Sequence, residues 1–321
     1  MAIYKIVHIT KYQYNIPIKE SINEIRLFPH NFENQDVLQH QLTVTNNPQV
    51  VFSQDCHGNR VGCFNTLEPH SQMIIESNML VRVNHSLQIP EIDNITVKDL
   101  EEEKEKSIAL LRFSYPENIN KQDEILAILN EIGFENKPII ALAQACNQYI
   151  YNNFKYTKGI TTINTTLDEI LELKKGVCQD FAHLLLQLMR TAGVPARYVS
   201  GYICPKETGL RGEGATHAWV EIYSPKQGWL GLDPTNNIWV MDTHVKLAVG
   251  LNFNQCTPVK GTFKGLAKHT LSVSVSIGYE DGRHYQEIND VQLEKFAPEV
   301  EVQIDHQEQL HQQEQEEQQQ Q

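Results

Sequence analysis

Polar and apolar residues alternate through the first part of the chain. Ile3-Tyr14, Ser21-Pro29, Leu38-Thr45, Gln49-Gln54, Arg60-Thr66 and Gln72-Val83 are rich in β-branched and aromatic residues. Turn clusters such as Asn46-Asn47-Pro48 and His57-Gly58-Asn59 separate them. A two-residue period broken by such turns predicts short antiparallel strands. From about residue 120 the period lengthens. Lys121-Ile132 and Pro138-Phe154 repeat apolar residues every three or four positions, which predicts helices. Pro138 suits a first turn. Thr166-Leu167-Asp168-Glu169 has the form of a capping box, opening a short helix that Gly176 is expected to end. A further helix is predicted over Cys178-Thr191, with Phe181, Leu184, Leu185, Leu188 and Met189 as its core stripe. Arg197-Ile203, His217-Tyr223, Trp229-Asp233 and Leu271-Ile277 return to strand patterns. The order β, then α, then β defines an α+β chain. The run Glu101-Lys106 reads as a solvated linker or helix face.

Composition narrows the partners. The chain has 321 residues, with 27 Lys and Arg against 40 Asp and Glu, a net charge of -13. The last seventeen, Asp305-Gln321, hold five acids and no base, and their Gln/Glu composition predicts disorder. Without them the balance is 27 against 35, or -8. An acidic surface gives no footprint for nucleic acid. No apolar run approaches the roughly 18 residues that span a bilayer. The N-terminus lacks the apolar stretch of a signal peptide. The expectation is a soluble, cytoplasmic protein with no nucleic-acid or membrane partner.

Six cysteines stand at 56, 63, 146, 178, 204 and 256, without a CxxC or a repeated spacing. They read as free thiols. Cys56, His57, Cys63 and His70 form a loose cluster whose spacing fits no zinc pattern, so neither metal nor cofactor is expected.

One cysteine is placed for chemistry. Gly176-Val177-Cys178 sets a thiol on the first turn of a helix, where the dipole and unpaired N–H groups favour a thiolate and an attacked carbonyl's oxyanion. A base is available downstream. His217-Tyr223 and Trp229-Asp233 flank the turn Ser224-Pro225-Lys226-Gln227-Gly228. A hairpin with His217 opposite Asp233 puts Ala218, Val220, Ile222, Leu230 and Leu232 on a core face. His217, Trp219 and Asp233 share the other face. Asp233 can then orient one imidazole nitrogen while the other serves Cys178.

The segments Gly176-Val-Cys-Gln-Asp-Phe-Ala-His183, Ala192-Gly-Val-Pro-Ala-Arg-Tyr-Val-Ser-Gly-Tyr202, Thr216-His-Ala-Trp-Val-Glu221 and Asp233-Pro-Thr-Asn-Asn237 resemble the bacterial transglutaminase-like superfamily, whose members are often described as cysteine proteases. His8-Ile-Thr-Lys-Tyr-Gln-Tyr14 and Arg26-Leu-Phe-Pro29 resemble its β-rich N-terminal domain. The resemblance covers about 1–280. It implies a papain/transglutaminase-like core with an N-terminal antiparallel β domain, and Cys178, His217 and Asp233 as the catalytic set. Leu251-Asn-Phe-Asn-Gln-Cys256 departs from the more polar, acidic run of the family. If that segment lines the cleft, substrate preference is expected to be unusual.

Four further residues are candidates for substrate binding or for supporting the site: Gln179, Asp180, Trp219 and Tyr202. His183 lies about 140° round the helix from Cys178 and is read as structural. Asn236 and Asn237 read as a turn. The expected domains are 1–100 (β-rich), 101–245 (catalytic core), 246–304 (strands returning to the N-terminal sheet) and 305–321 (tail). The expected activity is acyl transfer on an amide of a peptide or protein substrate, through a thioester on Cys178 and ending in hydrolysis. The alternatives are amine transfer to protein glutamine, and a non-catalytic peptide-binding scaffold.

Overall fold

A computed structural model describes residues 2–29, 31–32, 34–84, 90–204, 210–212, 216–279 and 282–291. The expected tail 305–321, and residues 292–304 before it, lie outside the described residues.

The first 83 residues are strands: β1 (Ala2–Ile25), β2 (Gln35–Val44), β3 (Val51–Gln54), β4 (Arg60–Thr66) and β5 (His70–Val83). The first two predicted strands are one. β1 runs unbroken through Pro17, and its two halves pair differently. Residues 2–14 lie between β5 and a late strand, while residues 21–25 pair β4. The register shifts between Gln13 and Ile18, and again around Glu20, whose φ is 54°. Pro17 lacks an N–H and sits where the ladder is already interrupted. Alternation is strict where the sheet meets the core. Met73, Ile75, Ser77, Met79, Val81 and Val83 of β5 are all buried.

The helical section follows: a 3₁₀ turn at Val97–Leu100, then α1 (Glu101–Lys106), α2 (Ile108–Arg112), α3 (Gln122–Ile132) and α4 (Ile139–Asn153). Next come β6 (Lys155–Tyr156), α5 (Leu167–Leu173), β7 (Lys175–Gly176) and α6 (Cys178–Thr191). Thr166 caps α5 through the Glu169 N–H, and Glu169 reaches back to the Thr166 N–H. That helix ends at Lys174, in the left-handed region at φ 50°, and not at Gly176 as expected.

Five strands then form an antiparallel sheet: β8 (Ala196–Ile203), β9 (Thr216–Ser224), β10 (Gly228–Asp233), β11 (Ile238–Trp239) and β12 (His244–Gly250). Their spatial order is β11-β10-β9-β8-β12. β12 spans the boundary drawn between residues 245 and 246 and completes this sheet. α7 (Phe253–Cys256), β13 (Val259–Lys264), β14 (His269–Tyr279) and β15 (His284–Val291) close the described chain. β13 and β14 both pair β1, and β15 pairs β14.

Two cores result. α4 and α6 pack on one face of the five-stranded sheet, against Ala196, Tyr198, Ala218, Val220, Ile222 and Leu232. The five stripe residues of α6 are all 0% exposed. Their burial is worth roughly 10 kcal/mol in transfer free energy, so the position of Cys178 is set by a packed helix and not by a loop. The second core joins Tyr4, Ile6, Ile75, Val81 and Ile277 to Tyr202, Val245 and Leu247. Residues 1–291 form one compact unit around both. Among the described residues, no helix is long and apolar enough to cross a membrane.

Candidate active site

α6 begins at Cys178 because Val177 is extended at φ -117°, ψ -176°, and Asp180 closes the turn. The Asp180 carboxylate accepts the Val177 N–H at 2.7 Å and the Thr161 hydroxyl at 2.6 Å. Burial raises its pKa, against the pull of these two hydrogen bonds. Asp180 therefore fixes the helix start and ties the preceding loop to it. Gly176 makes room for this cap. A Cβ there would stand 2.6 Å from Asp180 Oδ2. Gly176→Ala is expected to displace the carboxylate, strand the Val177 N–H and destabilise the fold by about 1–2 kcal/mol. Thermal melts of the two proteins measure this. Cys178 and Gln179 remain half-buried on the first turn. The Cys178 N–H lies where no carbonyl one turn earlier can take it.

β9 and β10 pair in a register two residues away from the expected one. Leu232 opposes Val220, and Gly231 opposes Glu221. His217 is therefore diagonal to Asp233. A shift of two preserves the faces, so Ala218, Val220, Ile222 and Leu232 still enter the helical core. The diagonal is bridged by side chains, with His217 Nε2 2.9 Å from Asp233 Oδ2 and both side chains 0% exposed. His217 Nδ1 meets no formed hydrogen-bond partner among the described residues, and Cys178 is the group besides Asp233 that acts electrostatically to raise its pKa. Gly212 lies beside that nitrogen, such that a Cβ would be 3.3 Å from it.

Asp233 is held from several sides. Its Oδ1 accepts the Thr235 N–H at 2.9 Å, and its Oδ2 accepts from Asn236 Nδ2 at 2.7 Å. His244 Nε2 lies 3.5 Å from Oδ2. Burial alone raises the pKa of this carboxylate, but the charge and hydrogen bond of His217, with help from His244, carry it well below the ordinary range. The converse holds for His217. Burial lowers its pKa, yet Asp233 and then Cys178 outweigh burial and push it up to about 10. A protonated His217 beside the ionised Asp233 is thus the favoured state.

This pair ties stability to pH. An unfolded histidine titrates near ~6.5, so the stabilisation from His217 is complete below that pH and lost as pH rises toward about 10. The stabilisation from Asp233 is complete above the unfolded carboxylate value of ~3.9 and lost as pH falls below it. The wild-type Tm is expected to drop more steeply between about pH 7 and pH 10 than that of His217→Phe, in calorimetry across that range.

The other candidates separate. Trp219 is fully buried. Its ring stacks on His217 at 6.4 Å and 30°, and its far edge lies over Gly201, where a Cβ would be 2.6 Å from Cη2. Trp219 thus packs against His217. Tyr202 is not in the cleft. Its hydroxyl meets His8 Nδ1 at 2.9 Å and its ring packs in the core toward β1, because strand parity turns it away from its neighbour Gly201. His183 accepts the Phe253 N–H at 3.2 Å, and burial drops its pKa to about 4. Its role is to anchor α7.

Asn252, Phe253 and Asn254 of the segment 251–256 line a cavity of about 360 Å³ with His183 and residues 163–168, and Cys178 is not in that wall. A second cavity, of about 490 Å³, lies behind Trp219 and His244 over the Arg197–Glu221–Lys246 ion cluster. Cys56, His57, Cys63 and His70 do not converge. His57 bonds Gln255 and His70 bonds the Glu68 carbonyl. All six cysteines are free thiols. The one group of three potential metal ligands among the described residues is His217, Asp233 and His244, and its carboxylate is already engaged by N–H donors.

His244 escaped the sequence reading. It sits at the start of β12, and the chain from β11 carries it there across the face that holds Trp219. Val240 packs on Trp219 during that crossing, and its N–H meets the Gly231 carbonyl at 2.8 Å. The available signal was a histidine opening a short strand of otherwise mostly apolar residues.

The fold and site define an α+β protein with a thiol at a helix start and a buried His–Asp pair on the adjoining sheet. The chain belongs to the transglutaminase-like superfamily. The superfamily model matches residues 127–234, and the bacterial transglutaminase-like N-terminal region matches residues 4–82. An uncharacterized protein of Mycobacterium leprae is 30% identical over 289 residues, covering 85% of this chain and 97% of the relative. A protein-glutamine gamma-glutamyltransferase of Pseudomonas aeruginosa is 33% identical over 109 residues, 32% of this chain and 16% of that protein. The solved structure of a candidate cysteine protease from Cytophaga hutchinsonii shares the fold, with a TM-score of 0.67, 22% identity and 92% coverage of each chain.

Proposed function

We propose that the protein is a thiol acyl-transfer enzyme acting on amide bonds, with Cys178 as nucleophile, His217 as acid and base, and Asp233 as the group that orients His217. The observation that carries this reading is the buried 2.9 Å pair between His217 Nε2 and Asp233 Oδ2, which leaves Nδ1 for Cys178. The Cys178 thiolate attacks the amide carbon. The oxyanion takes the Cys178 N–H as donor. The intermediate collapses, the C–N bond breaks, and the leaving amine takes the His217 proton. Water then gives a proton to His217 as it attacks the thioester, the C–S bond breaks, and the acid leaves with the Cys178 thiolate restored beside protonated His217. Hydrolysis is favoured because water is always at hand, whereas amine transfer needs a site that binds an amine and excludes water.

Amine transfer is the second reading. The local match to the Pseudomonas aeruginosa gamma-glutamyltransferase favours it. A glutamine-containing peptide with monodansylcadaverine distinguishes the two. Ammonia release or peptide cleavage without dansyl incorporation supports hydrolysis. Incorporation exceeding hydrolysis replaces it with amine transfer. Peptide binding without turnover, unchanged in Cys178→Ser, points to a binding scaffold and overturns both.

A further inference from the structure

We propose that His244 is a positioning residue for this reaction: a neutral imidazole that donates from Nε2 to Asp233 and holds the carboxylate facing His217. The proposal rests on the roles given above to Cys178, His217 and Asp233. His244 is 3% exposed, and its Nε2 lies 3.5 Å from the same oxygen, Oδ2, that His217 engages at 2.9 Å. Its Nδ1 is 3.0 Å from the Thr243 hydroxyl. An ionised Asp233 only accepts, so Nε2 must carry the hydrogen, and Nδ1 is then the acceptor for Thr243 O–H. One tautomer satisfies both contacts.

The ring is held in that pose by packing. Its plane meets the edge of Trp219 at 5.1 Å and 77°. The charged or titratable groups acting on it are Asp233, His217 and Asp242. Burial, with the nearby His217 charge, disfavours a proton on His244, so the positive charge of the cluster stays on His217.

A hydrophobic residue would fill this space equally well. It would also leave a buried carboxylate oxygen with fewer donors, free to turn from His217. Asn236 Nδ2 donates to the same oxygen at 2.7 Å, so His244 and Asn236 together hold Oδ2 beside His217. His217 then keeps Nε2 on Asp233 and Nδ1 toward Cys178.

The test follows acylation of Cys178 by p-nitrophenyl acetate. The Sγ–carbonyl bond forms, the ester C–O bond breaks, and p-nitrophenolate leaves. Burst rates are compared for wild type, His217→Ala, His244→Phe and His244→Gln, each checked for an unchanged melt. Phe keeps the ring against Trp219 without a donor, and Gln restores an N–H near the Nε2 position. His244→Phe is expected to lower the saturating acylation rate about tenfold, the scale of one hydrogen bond to a charged group, with half-saturation unmoved. Its alkaline limb shifts to lower pH, because a looser carboxylate holds the His217 proton less tightly. His244→Gln recovers most of the rate. Wild-type rates in His244→Phe, or a Gln variant as slow as Phe, overturn the proposal. Equal rates in wild type and His217→Ala overturn the underlying roles instead.

Discussion

Cys178→Ala is expected to abolish amide turnover, with a loss on the order of 10⁴-fold or more, because no other group at the site forms the acyl intermediate. The structure gives this variant a clean background. Cys178 is half-buried, and the helix behind it is anchored by side chains from Phe181 to Met189 that the substitution does not touch. Three of the remaining thiols are shut away from substrate. Cys146 and Cys204 are buried, with pKa values raised by desolvation, to about 12 for Cys146. Cys256 is likewise buried and raised. Peptide hydrolysis or amine incorporation by the purified variant, beside a melt matching wild type, measures the effect.

Asp233→Asn is the second large loss, at about 10⁴-fold in kcat, the scale reached when a buried orienting carboxylate becomes an amide. The Asp233 carboxylate receives hydrogen bonds from the Thr235 N–H and Asn236 Nδ2 and faces both His217 and His244. An amide offers one accepting oxygen and sets an NH₂ against some of these donors. His217 must then turn, or adopt the tautomer that presents the wrong nitrogen to Cys178. The substitution also removes the charge that keeps His217 protonated, so stability should fall by about 3 kcal/mol. Single-turnover kinetics and denaturant unfolding separate the two effects.

The place of Cys178 at a helix start was legible in the sequence because it depends on local features. A glycine, an extended residue and an apolar stripe define where α6 starts and which face it buries. The faces of the β9–β10 hairpin were legible for the same reason, since alternation is local. The register was not. A shift of two residues keeps every apolar side chain on its face, so the pattern could not tell a direct pairing of His217 and Asp233 from a diagonal one. Tyr202 was misplaced because its neighbour Gly201 opposes His217 and Tyr202 has the other parity.

His244 depended on tertiary structure altogether. β12 pairs β8, so no strand neighbour links His244 to Asp233. Only the crossing from β11, over Trp219, brings them together. The continuity of β1 was hidden by Pro17, which normally ends a strand. Here one strand serves two sets of partners and the proline falls between them.

The central claim is that His217 activates Cys178, and competitive alkylation tests it within a single molecule. Iodoacetamide labelling at about pH 6, where an ordinary thiol is almost wholly protonated, is followed by peptide mapping of Cys178 and Cys56. Cys56 is exposed and Cys178 only half so, which favours Cys56 on access alone. The expected result is faster labelling of Cys178, with the advantage lost in His217→Ala. Labelling of Cys178 no faster than Cys56, or an advantage that survives in His217→Ala, would contradict the account.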